Sequence, residues 1–425
     1  MNSKYLAASA GLLAALALGV TACGGDDSDS TTSSGGGGGE EAAGKQLTIY
    51  SSVPLQGASR VQTTAVVNGA KLALEQAGGK AGDFTVKYTS LDDSTAQAGS
   101  WTPEATQANA RKAAQDDNVG VYLGEFNSGA SAVSIPILNE AGVPQISPAN
   151  TAVGLTSDEP GSNPGEPDKY YPAGTRTYAR IVPKDTIQGA ALATLMKQDG
   201  CTKIFMTNDK EVYGAGLAKN IQLAAQPQGL NIVANEAIDK NAPNYRSLAS
   251  KAKGEGADCF IYSGITANNA VQLFKDFSAA LPDAKLYGPD GVAESGFADP
   301  KDGGIPADVA SKVKVTVATL SPDQYPPEGQ DFFKQYTQKY GEKNPDPYAI
   351  YGYEAMRLAL DAIQRSGTGS KEDIIKALFD TKDRSSVLGT YSIDENGDTT
   401  LTDYGLYTVK DGVPTFSKKI VAEAS

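Results

Sequence analysis

The sequence contains no histidine. That absence excludes Ser–His–Asp and Cys–His nucleophiles, histidine general bases and histidine-ligated zinc. Cysteine is nearly as scarce, with three in 425 residues, beside one tryptophan and four methionines. Basic residues are in deficit: 37 Lys and Arg stand against 50 Asp and Glu, a formal charge of −13. Nucleic acid and anionic membrane surfaces demand basic patches, so the charge argues against both as partners and is read as solubility. Gly-x-Ser-x-Gly and Gly-x-Gly-x-x-Gly are missing, and nothing has metal-ligand spacing, so no enzyme, metal or cofactor is expected. What is present is 40% hydrophobic residues with 46 Gly and 22 Pro, enough for a core inside a loop-rich chain. The length gives a prior of two or three domains.

Residues 1–23 hold one Lys, an apolar run from 6 to 20, then Thr21-Ala22-Cys23. The run is too short to span a membrane and has the shape of a secretory signal. Val20-Thr21-Ala22-Cys23 resembles a bacterial lipobox, which implies cleavage after residue 22 and a diacylglycerol on Cys23. The alternative is an ordinary signal with an incidental Cys. Residues 24–44 carry no apolar side chain larger than Ala, so the 23–45 segment is expected to be a flexible tether. The rest of the chain is then extracytoplasmic, touching the membrane only through its lipid.

After the tether, strand and helix patterns alternate. Strands are expected at 46–50, 84–88, 119–123 and 143–146, with helices through Val66–Ala77, 104–116 and 131–141 between and around them. The pattern restarts at a helix opened by Asp185 with Gln188 at capping-box spacing. Strands at 203–207, 230–234, 260–262, 286–287 and 314–318 follow, separated by helices through Leu217 and Ile221 and near 245–254 and 267–279. Such alternation predicts parallel sheets in βαβ units, and two runs of it predict two lobes. The interval 156–178 has no period and reads as a surface loop. Helices are expected near 328–340, over 348–365 with Ala355, Leu358, Ala359, Ala362 and Ile363 on one face, and over 372–379. Segments 389–394 and 406–409 read as a hairpin around Asn396-Gly397.

Several motifs fall away. Gly39, Gly44 and Lys45 have phosphate-loop spacing, but Gln46 stands where Ser or Thr is needed, and the motif precedes a strand instead of following one. Asp394, Asn396 and Asp398 start like a calcium loop, yet Thr399 replaces the required Gly. Ser250 with Lys253 and Ser311 with Lys314 lack the companion motifs of a Ser–Lys nucleophile.

Four polar loops remain, each after a strand, where an open α/β sheet places its ligand crevice. They are 124–129 (GEFNSG), 147–151 (SPANT), 208–214 (NDKEVYG) and 288–291 (GPDG). The first opens a helix whose N–H groups can hold a carboxylate with help from Ser128. Any one alone is explained by capping and turn chemistry; four in order point to a cleft.

At these residues the chain resembles type I periplasmic binding proteins of the leucine/isoleucine/valine branch, over about residues 46–425. The markers are Pro54-Leu55-Gln56-Gly57 with Asn68-Gly69-Ala70, Ile146 through Thr151, Asn208-Asp209-Lys210 with Tyr213-Gly214, Gly288 through Gly291, and Tyr351-x-Tyr353-Glu354-Ala355. The resemblance implies an α/β fold of two Rossmann-like lobes joined by three crossovers near 180, 320 and 390. The lobes would be 46–180 plus 320–390 and 181–319 plus 391–425. It implies a binding protein, not an enzyme, that captures an amino acid or small amide and delivers it to an ABC permease. Carried over by position, Ser128, Ala149 and Thr151, with Asn127 beside them, fall at the head-group site. Tyr213 is the covering aromatic and Asp290 the ammonium partner. Ile265 or Thr266 stands at another position that is often aromatic, and Gln62 at a further one, which removes walls of an aliphatic pocket. Two alternatives belong to other classes: a sensor lipoprotein of the same fold without transport, and an enzyme using Asp209, Glu211 and Asp290. Those acids lack paired spacing.

Cys201 and Cys259 each begin a strand of the second lobe. In a doubly wound sheet these strands are neighbours about 4.8 Å apart, which permits a disulfide in an oxidising compartment. The alternative is two buried free thiols. The bond is expected, because Cys23 is consumed by its lipid.

Overall fold

The computed structural model describes residues 45–422. The expected signal at 1–22, Cys23 and the tether up to residue 44 lie outside the described residues.

The first sheet grows from Gln46–Val53, buried from Leu47 onward. It pairs in parallel with Phe84–Asp92 on one side and Val119–Gly124 on the other. Gln145–Ser147 and Tyr178–Arg180 extend it in parallel, and Lys80–Ala81 closes the far edge antiparallel. Strands covered on both faces carry apolar side chains almost continuously, as 119–123 does. The helix Arg60–Gln76 crosses Ala349–Ser366 closely, because each offers a glycine at the contact. A Cβ on Gly69 would lie 2.2 Å from the Ala349 carbonyl oxygen, and one on Gly352 2.1 Å from that of Val66.

The second sheet runs in the order Ile232–Ala237, Ile204–Asn208, Cys259–Ser263, Lys285–Gly288 and Val313–Val317, all parallel. Tyr404–Lys410 and Val413–Ile420 then add two antiparallel strands. Cys259 pairs in register with Ile204, and Cys201 and Cys259 are joined by a disulfide with Cα atoms 5.8 Å apart. Among the described residues, no helix is long and apolar enough to cross a membrane.

The chain leaves the first sheet after Tyr178–Arg180, returns after Val313–Val317 and crosses again before Tyr404–Lys410. A buried ion pair pins two of these crossovers: Arg180 Nε lies 2.7 Å from Asp398 Oδ1, and the Arg180 N–H donates to the Gly397 carbonyl at 2.9 Å. Burial opposes ionisation of Asp398, but the Arg180 and Lys184 charges prevail and hold its carboxyl below the ordinary range.

Four expectations are corrected. Segments 389–394 and 406–409 do not form a hairpin: Gly389–Tyr391 pairs with Arg384–Ser386, and Tyr404–Lys410 lies between Val313–Val317 and Val413–Ile420. Asn396-Gly397 does turn the chain back, with Ile393 and Thr399 bridged antiparallel and the Asp394 N–H donated to the Asp398 carbonyl at 2.9 Å. The Asp394 carboxylate accepts the N–H groups of Asn396 at 2.9 Å and Asp398 at 2.8 Å. Asp185 and Gln188 form no capping box. Lys184 occupies the N-cap without a side-chain bond, and Gln188 donates to Thr316 at 3.2 Å. The helix near 267–279 is broken: residues 266–270 form one irregular turn, with Asn268 and Asn269 off helical geometry, before Val271–Ala280. The 156–178 loop is not simply surface, since Tyr170 and Tyr171 are buried, and the Tyr170 hydroxyl donates to Glu166 at 2.8 Å.

Candidate ligand-binding site

The loops after the strands of both sheets meet around one small cavity with about 30 Å³ of free space. From the first sheet, Val119–Gly124 delivers Phe126 and Asn127 and then the helix Ser128–Glu140. No side chain caps this helix, so its first N–H groups are free to receive an anion. The next loop is locked to it. Ser147 Oγ donates to the Glu125 carbonyl at 2.8 Å and accepts the Asn150 N–H at 2.9 Å, and Asn150 Nδ2 donates to the Phe126 carbonyl at 2.9 Å. Ser128 Oγ accepts the Ala152 N–H at 3.3 Å, which leaves its own proton for a ligand. This side is preorganised, because its loops hold each other.

On the other side, Asp209 performs the locking. Its carboxylate accepts the N–H groups of Ile265 and Glu211, both at 3.0 Å, and the Asn268 amide at 2.9 Å. Burial pushes it up to about 6 despite those donors. This fixes the segments bearing Tyr213 and Ile265. Asp290 is buried; its two carboxylate oxygens accept the hydroxyls of Tyr213 at 2.5 Å and Tyr348 at 2.6 Å. Burial raises its pKa and the two hydroxyls oppose the rise. Asp185 stands nearby, fully buried, its N–H donated to the Thr151 carbonyl at 2.8 Å. Burial, then the Asp290 charge, push its carboxyl well up. Asp290 has no ion-pair partner among the described residues.

Six sequence-selected residues line this cavity together: Asn127, Ser128, Ala149, Thr151, Tyr213 and Asp290. Thr266 does not. It borders a separate outer hollow between the lobes, and its hydroxyl donates to the Gly291 carbonyl at 3.3 Å. Ile265, named beside it, takes the place on the cavity wall. Gln62 lies away from the wall and reaches Glu294 across the lobes at 3.5 Å. Tyr348 and Phe126, packed edge to face with centroids 5.8 Å apart, complete the lining and were not selected. Phe126 sat inside a chosen loop, whereas nothing local marks Tyr348. Asp209 and Glu211 are absent from the lining. Glu211 instead faces Lys240 at 3.4 Å, so the acids of the enzyme alternative do not converge.

The two-lobed, parallel-stranded α/β architecture with a cavity between its lobes is that of a type I periplasmic binding protein. The chain belongs to the periplasmic binding protein family, whose model matches residues 47–414. It is 24% identical over 364 residues to Leu/Ile/Val-binding protein homolog 1 of Brucella melitensis, covering 85% of this chain and 89% of that one. Its fold matches the leucine-binding protein LivK of Thermotoga maritima with a TM-score of 0.76 at 22% identity, over 88% of this chain and 98% of that one. It also matches the branched-chain amino acid transporter substrate-binding protein LivJ of Streptococcus pneumoniae, solved with isoleucine. There the TM-score is 0.74 at 21% identity, over 89% and 100% of the two chains.

Proposed function

We propose that this chain is an extracytoplasmic solute-binding lipoprotein that captures one amino acid or related small polar zwitterion between its lobes and delivers it to an ABC importer. Asp290 carries the reading: a buried carboxylate with no ion-pair partner among the described residues, in one cavity with Ser128, Thr151 and an uncapped helix start. A zwitterion leaving water needs both charges met. Here its ammonium meets Asp290, and its carboxylate meets the hydroxyls and free N–H groups. Lobes of 46–180 plus 320–390 and 181–319 plus 391–425 close over it about the crossovers. Residues 1–22 direct export and Cys23 carries the lipid; mass spectrometry of membrane-extracted protein lacking a diacylglycerol on Cys23 would refute the anchor.

The test is a thermal-shift panel of amino acids, amides and urea. A ligand at a hundredfold excess over Kd adds about 2.7 kcal/mol of stability. A flat panel overturns the reading.

A further inference from the structure

Asn127 is a polar side chain in excess of what holding a head group requires. It sits at the N-cap of Ser128–Glu140 with extended backbone (φ −93°, ψ 135°), the position from which Asn ordinarily accepts a first-turn N–H. Here it makes no such bond. It is 8% exposed, lines the cavity, and its Oδ1 is buried with no hydrogen-bond partner among the described residues. Elsewhere in the lining, the Tyr213 and Tyr348 hydroxyls donate to Asp290, and Ser128 Oγ accepts the Ala152 N–H. Phe126, Ala149 and Ile265 supply the apolar part of the same wall. A buried carboxamide that gives up its cap and finds no partner is expensive unless a ligand supplies one.

We propose that Asn127 is a specificity-determining residue that selects a short amino-acid side chain bearing a hydroxyl or amide over its aliphatic isostere; this rests on the amino-acid reading above. Free space in the cavity is small, about 30 Å³, so a long side chain does not fit without opening it. A site that hydrogen-bonds a ligand group rejects the analogue lacking it far more strongly than an apolar wall rejects an added hydroxyl.

Calorimetric titration of the purified full chain with threonine against valine, and asparagine against leucine, tests this without any variant. The expected result is at least about tenfold tighter binding of the polar member of each pair, and Asn127→Leu collapsing the ratio to within about twofold. Valine binding as well as threonine, or a ratio that survives Asn127→Leu, overturns the assignment. Alanine serves as the control for the underlying reading: if alanine binds and the pairs do not differ, only the role of Asn127 falls. If no amino acid binds, the reading itself falls with it.

Discussion

Glu294 offers the sharpest electrostatic test, because it joins the lobes with no cation beside it. It is 1% exposed; Oε1 accepts the Ser59 hydroxyl at 3.3 Å and Oε2 the Gln62 amide at 3.5 Å, both from the helix of the opposite lobe or its cap. Asp346 is the charged group facing it, and Asp346 in turn accepts the Ser295 hydroxyl at 2.7 Å. Burial pushes the Glu294 carboxyl from its ordinary 4.5 up to about 7; Thr266, Ser59 and Gln62 pull down, and the Asp346 charge adds to the rise. The folded protein therefore holds a proton that the unfolded chain has released between these two values. This contribution to stability shrinks as pH rises from about 4.5 and is gone above about 7, the reverse of a salt-bridged acid. The size of the loss is about 3 kcal/mol. Glu125, raised to about 7, and Asp209, raised to about 6, fall in the same interval, so the wild-type slope is not Glu294 alone. Glu294→Gln keeps the shape and removes the titration. Denaturant midpoints from pH 5 to pH 8 should fall more steeply for the wild type than for the variant, and the two curves should separate toward alkaline pH. Parallel curves would show that Glu294 is not held neutral at the lobe junction.

Two other outcomes are expected. Asp290→Asn should weaken amino-acid binding by about a hundredfold or more, since a buried ammonium loses its counter-charge, whereas Ser128→Ala should cost about fivefold for one hydroxyl bond; equal losses by calorimetry would misplace the ammonium. Replacing Cys201 and Cys259 together by Ala should lower stability by roughly 4 kcal/mol, given a sequence separation of 58. Two reactive thiols besides Cys23 in the denatured, unreduced chain would refute the bond.

The sheets were legible because their central strands, such as Ile204–Asn208 and Cys259–Ser263, are short, largely apolar runs buried along their whole length. The cleft loops were legible because each follows such a run. Where the reading failed, a local signal was satisfied by something other than its usual partner. Asn396-Gly397 does close a short turn, but it pairs 393 with 399 and not with the strand at 406–409, and it leaves Asp398 free for Arg180. The edge strand Val413–Ile420 escaped notice because Ser417, Lys418 and Lys419 break its apolar pattern at the exposed edge. The spacing of Asp185 and Gln188 suggests a cap, but Asp185 is buried beside Thr151 and Asp290. Tyr348 had no local signal at all: its role comes from Asp290, 58 residues away and across the cleft.

That last contact bears on how capture and closure are linked. Asp290 follows a strand of the second sheet, and Tyr213 belongs to a helix packed on that sheet, so this bond lies within one lobe. Tyr348 precedes the helix Ala349–Ser366, which packs on Arg60–Gln76 of the first lobe. Two residues earlier, Asp346 grips Ser295 of the second lobe. The segment 346–348 therefore supplies both a lobe-to-lobe bond and one of the two hydroxyls on Asp290. On the proposed capture mechanism, parting of the lobes would take the Tyr348 donor from Asp290 and return water to it, whereas here it is buried and doubly hydrogen-bonded. A ligand shifts such an equilibrium only by the difference in its affinity for the two states. The proposed ammonium on Asp290 would make that difference, because its attraction to the carboxylate strengthens as water leaves a closing cavity.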